Sequence, residues 1–167
     1  MNGVPVSEAE LMRLFEAARW APSCANSQPW RFVYGRAGTP HFERLFQLLA
    51  EGNRSWCARA GALIVALSKT TFDNGRPTRT HSYDTGAAWM SLALQGSLMG
   101  LAVHGMAGFD YDRARVDLRV PEGHEVEAMI AVGHPGKLED LPEQHRAREV
   151  KSMRWPVSEL VFEGRFA

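Results

Sequence analysis

Residues 62–68 read ALIVALS, a continuous apolar run closed by Ser68. It has the length of a strand and lacks the alternation of a half-solvated one, which predicts a strand covered on both faces. A sheet built around such a strand needs helices to cover it, and the neighbouring segments offer that complement. Upstream, WRFVYG at 30–35 reads as a strand, and Phe42, Leu45, Phe46 and Leu49 mark one face of a helix. The first helix is announced by Ser7-Glu8-Ala9-Glu10, a capping box, with Val6 and Leu11 placed for a hydrophobic staple. Leu11, Leu14, Phe15 and Ala18 continue it at helical spacing, and Pro22 forbids its extension.

Downstream, residues 69–84 are polar and rich in turn formers, which predicts a loop. Tyr83 to Leu101 reads as a long helix, apolar nearly all round and closed by Gly100, which implies burial on more than one side. AVHGMAG (102–108) predicts a short strand, YDRARVDLRV (111–120) a surface helix, and EAMIAVGHPG (127–136) a strand ending in a turn. The tail from Leu138 is charged and irregular, with an apolar patch from Trp155 to Phe162. Helix and strand thus alternate four times through one domain, 1–167.

Composition narrows the function classes. The chain has 167 residues, 45% apolar and 23% charged, with 19 basic against 19 acidic side chains. Neutrality removes the basic surplus that nucleic acid or anionic membrane usually demands. Cys24 and Cys57 are the only cysteines, too few for a disulfide scaffold or a four-cysteine zinc site. The start, MNGVPVSEAE, has no basic region leading into an apolar run, and the apolar segment 87–103 contains Gln95 with Asp84 just before it. These features predict a cytoplasmic protein whose apolar helix lies in a core rather than a membrane.

Familiar catalytic templates are missing. There is no P-loop, no G-x-G-x-x-G after a strand and no G-x-S-x-G elbow, and the six histidines show no metal-ligand spacing. What stands out is ARWAPSCANSQPWRF (18–32), where Ser23, Cys24, Asn26, Ser27 and Gln28 crowd one connection. A plain turn needs one or two such groups. Cys24 follows a helix C-terminus, which disfavours a thiolate, so it reads as turn packing. Asn53 reads as a cap or turn residue, Cys57 after Trp56 as packing in a helix-like context, and Gly105 and Gly108 either admit a planar ligand to the backbone or mark an ordinary turn. Arg146, Arg148, Lys151 and Arg154 make the tail locally cationic, as a solvated face or as a grip for phosphate.

In order, ARWAPSCANSQPWRF, GNRSWCARAGALIVAL (52–67), DTGAAWMSLALQGSLMGLAVHGMAGFD (84–110), AMIAVGHPG (128–136) and SMRWPVSELVF (152–162) resemble the successive motifs of the nitroreductase-like flavoproteins. The resemblance implies an α+β fold with a mostly antiparallel central sheet flanked by helices. It further implies an intertwined homodimer with FMN at the subunit interface, and burial of the helix 87–101 in the dimer core. Carried over, Pro22, Ser23, Cys24 and Asn26 match the loop that reaches the flavin from the neighbouring subunit, with Gln28 and Trp30 as its support. Asn53 matches a polar residue facing the ring, and Met106, Ala107 and Gly108 match the segment lying on it. Arg154 matches the phosphate-holding basic residue, with Lys151 the weaker candidate.

The implied activity passes electrons from NAD(P)H through FMN to small electron-poor acceptors such as nitroaromatics or quinones, with no side-chain nucleophile and no metal. The alternative is a non-catalytic flavin-binding or dimeric scaffold protein. The resemblance departs at its start, where family members carry an arginine-bearing segment and this sequence has only MNGVP before Val6. One charged phosphate contact fewer is worth roughly 1.5–3 kcal/mol, so weaker FMN retention is expected unless the true start lies upstream. Ala107 also lacks the acidic side chain some members have there.

Overall fold

The computed structural model describes residues 1–141, 143–147 and 149–166, with the backbone alone at Gln144. Helix α1 (Glu8–Arg19) begins at the expected capping box: the Glu10 N–H donates to Ser7 Oγ at 3.2 Å and the Ser7 N–H to Glu10 Oε2 at 2.8 Å. These bonds from Ser7 hold the Glu10 carboxyl below the usual carboxylate range. Strand β1 (Trp30–Arg36) leads to α2 (Pro40–Phe46) and α3 (Glu51–Cys57), then β2 (Ala62–Lys69) and α4 (His81–Leu98). Strand β3 (Ala102–Met106), α5 (Tyr111–Asp117), β4 (His124–Gly133) and a one-turn α6 (Glu143–Arg146) complete the order.

The sheet runs β1-β2-β4-β3, every neighbour pair antiparallel. β2 lies inside it and is covered on both faces, as ALIVALS predicted. Period-two geometry sorts its apolar residues between two cores. Ala62, Ile64 and Ala66 join Leu11 and Leu14 of α1 and Leu92 of α4 on one face. Leu63, Val65 and Leu67 join Phe42 and Leu45 of α2, Cys57 of α3 and Met129 of β4 on the other. Each fully buried leucine or isoleucine contributes about 1.5–3 kcal/mol, so both layers are needed to hold the strand.

Three readings need correction. The helix expected to carry Leu49 stops at Phe46, and Leu49 instead bridges to Phe109, so tertiary pairing overrides the helical spacing. Asn53 is neither cap nor turn but lies within α3, too short a helix for periodicity to reveal. α4 starts at His81 and ends at Leu98, with Gly100 following at φ 72°. Within this chain α4 is covered on one side only: Asp84, Thr85, Ala88, Leu92 and Gly96 are buried, while Tyr83 and Leu98 are 81% and 84% exposed. Apolar character records what a helix could bury, not what covers it. Among the described residues no helix is long and apolar enough to cross a membrane.

Candidate functional site

The polar connection after α1 folds into a tight, internally bonded turn. The Asn26 N–H donates to Ser23 O at 3.1 Å, the Ser27 N–H to Cys24 O at 3.0 Å, and the Gln28 N–H to Ser23 Oγ at 3.0 Å. Three non-glycine residues adopt left-handed backbone: Ala25 at φ 49°, Asn26 at φ 54° and Gln28 at φ 45°. Each such residue costs on the order of 1 kcal/mol, and strain of this kind gathers at functional sites. Pro22, Cys24 and Asn26 are exposed and Ser23 half-buried, while Ser27 Oγ is buried, so the turn presents Cys24 and Asn26 outward. It borders an open cleft of about 440 Å³ lined by Ala25, Asn26, Ser27, Phe72, Asn74 and Arg76 among others.

A carboxylate from a distant helix holds this turn. Asp84 Oδ2 accepts the Cys24 N–H at 3.0 Å and Thr80 Oγ1–H at 3.0 Å. In the sequence Asp84 stands out only as a charge before an apolar run. Its being the one acid in the helix 81–98 was the signal available.

A second group forms where β3 ends. Asn53 Nδ2 donates to Gly108 O at 2.9 Å, and the Trp56 indole N–H donates to Asn53 Oδ1 at 3.3 Å. The Ala50 N–H shares the Gly108 carbonyl at 2.9 Å. A Cβ at Gly108 would lie 2.6 Å from Asn53 Nδ2, so a side chain there would push the Asn53 amide from this position. Ala107 and Gly108 are exposed, and among the described residues neither N–H donates a hydrogen bond. Met106 is different: its side chain is buried, 3.5 Å from the Cys57 thiol. Only the backbone of Met106 is left to face a ligand.

Arg154 stands apart from both groups. It is exposed, and its Nη1 donates to Ser152 Oγ at 2.6 Å and to the carbonyls of Ser152 and Met153. Lys151 is likewise exposed, and Arg148 lies outside the described residues. The structure therefore brings Asn53 to Gly108 and ties Cys24 to Asp84. Within this chain, no described contact joins either pair to Arg154.

The thiols separate clearly. Burial pushes Cys57 up to about 12, while Cys24 is exposed. Ellman's reagent at pH 8 is expected to modify one thiol per native flavin-free chain and a second only after denaturation. Two fast-reacting thiols would contradict the packing around Cys57. Among the described residues no cluster of His, Cys, Asp or Glu could hold a metal ion.

The family model described as "Nitroreductase family" matches residues 2–37. An uncharacterized 15.4 kDa protein of Mycolicibacterium smegmatis is 33% identical over 148 residues, covering 81% of this chain and 97% of that protein. A protein of Streptomyces coelicolor named "Putative NADH dehydrogenase/NAD(P)H nitroreductase" is 28% identical, covering 90% of this chain and 84% of its own. Among solved structures, an oxidoreductase containing FMN matches with a TM-score of 0.95 at 40% identity, covering 99% of this chain and 86% of that one. With near-complete overlap at that identity, the same antiparallel sheet between helical layers and a matching family segment around α1, this chain belongs to the nitroreductase family.

Proposed function

We propose that the protein is an FMN-dependent oxidoreductase that takes electrons from NAD(P)H and passes them to small electron-poor acceptors such as nitroaromatics or quinones. The observation that carries this reading is the pair of unengaged N–H donors at Ala107 and Gly108, held open by the Asn53 contact at the end of β3. Isoalloxazine offers ring acceptors suited to such donors, and Ser23 and Asn26 can both donate and accept toward its edge and ribityl chain. The donor set therefore fits the group. Arg154, whose Nε and Nη2 are not among its bonds to Ser152 and Met153, is the residue to hold the phosphate. FMN, when bound, supplies the hydride acceptance and electron return. The chain supplies orientation and backbone dipoles aimed at developing negative charge. The solved FMN-containing oxidoreductase at 40% identity supports the cofactor, and the Streptomyces coelicolor protein's name supports the donor.

The same reading makes the protein a homodimer built from this one domain and working in the cytoplasm. Its support is the bare side of α4, where Tyr83, Met90, Leu94 and Leu98 are exposed, with the exposed Trp155, Leu160 and Val161 of the tail. A second copy laid on these surfaces would cover them and bring its own turn 23–28 toward the Ala107–Gly108 segment.

The test is a spectrum of purified protein with and without added FMN, followed by anaerobic NADH or NADPH and then a quinone. Flavin absorbance that bleaches with the nicotinamide and returns with the quinone is expected. Bound flavin that neither nicotinamide reduces would leave the non-catalytic alternative, and protein that takes up no FMN would overturn both. Arg154→Ala is expected to weaken FMN binding about ten- to a hundredfold in a fluorescence titration, with the dimer retained. Unchanged affinity would remove Arg154 from the phosphate role.

A further inference from the structure

We infer that Asp84 is the positioning residue of this site, its carboxylate fixing residues 23–28 so that Ser23, Cys24 and Asn26 face the flavin. The inference takes its ligand from the reading above and its anchoring from contacts within this chain. Asp84 is 4% exposed in the first turn of α4, and its Oδ2 reaches back sixty residues to the Cys24 N–H. Among the described residues, two hydrogen bonds leave the segment 23–28, this one and the Arg31 Nη1 donation to Gln28 O at 3.0 Å, and only the first comes from a distant element. The others close within the turn and fix its shape rather than its place.

The chemistry favours a carboxylate here. Both neighbours, the Cys24 amide and the Thr80 hydroxyl, present hydrogens to one oxygen, and an ionised carboxylate is an acceptor only. Bonds to an ionised acceptor are stronger than neutral ones. Left-handed residues at 25, 26 and 28 persist only where their surroundings over-determine them, and Asp84 supplies the long-range constraint. It is almost fully buried and bonded to the turn through the Cys24 N–H, so its action is on the turn.

The experiment compares the natural protein with Asp84→Ala and Asp84→Asn. Amide hydrogen exchange over peptides covering 21–29 and 62–69 is measured without flavin, and FMN affinity by fluorescence titration. In Asp84→Ala, exchange at the Cys24 amide is expected to rise at least about tenfold and FMN binding to weaken about thirtyfold, while 62–69 stays protected. Asp84→Asn keeps one acceptor oxygen and is expected to restore most of both. Three results would overturn the inference: unchanged Cys24 exchange in both variants, a loosened turn with unaltered FMN affinity, or equal loss of protection in β2. A natural protein that binds no FMN would overturn the flavin reading and the ligand half of the inference. That failure is distinguishable, because Cys24 exchange would still respond to Asp84.

Discussion

Gly35→Ala is expected to lower stability by about 3 kcal/mol or more, read as a fall of roughly 6–12 °C in melting temperature. Gly35 lies in β1 where α2 crosses it. A Cβ there would overlap the His41 carbonyl carbon and the Phe42 amide nitrogen, with His41 O at 2.7 Å. All three are backbone atoms, so no rotamer change relieves the contact. α2 cannot easily retreat, because Thr39 caps it at 3.2 Å to the Phe42 N–H and Phe42 and Leu45 are buried beneath it. Thermal unfolding followed by circular dichroism checks this, and a shift under about 2 °C would show that α2 yields.

Met106→Ala is expected to cost about 2–5 kcal/mol, the usual loss for truncating a buried methionine. The side chain packs against Cys57 in the core that also contains Leu49 and Phe109, directly beneath the exposed Ala107–Gly108 segment. Ala107→Ser, on the exposed neighbour, is expected to change stability by no more than about 0.5 kcal/mol. Denaturant unfolding of the two variants separates core from site. A stable Met106→Ala protein with an altered flavin spectrum would place that side chain against the ring after all.

Local signals carried much of the fold. The capping box at Ser7 and Glu10, the both-face cover of ALIVALS and the stop at Gly100 are each written in a few adjacent residues, and each appears where the sequence puts it. α3 was legible only as a helix-like context at Cys57, because seven residues held by packing carry too little periodicity to fix its bounds. The one-sided burial of α4 was also hidden, since hydrophobicity does not name its cover. The site divides in the same way. The crowded polar turn was visible in ARWAPSCANSQPWRF, but the Asn53–Gly108 bond spans 55 residues and the Cys24–Asp84 bond spans 60. No window of sequence contains either contact, so Asp84 looked like an isolated charge rather than an anchor.

The pairing of β2 with β4 has a kinetic consequence. Ala62 faces Val132, so the middle of the sheet joins positions seventy residues apart, with α4, β3 and α5 strung between them. A long loop must be ordered before that ladder returns any free energy, which slows folding relative to a helical bundle of equal size. During synthesis β1 is available to one edge of β2, but the other edge waits unpaired until the ribosome has released the chain beyond Gly133, an interval of several seconds at about 5–20 residues per second. Chaperone demand for this protein is therefore concentrated in that window.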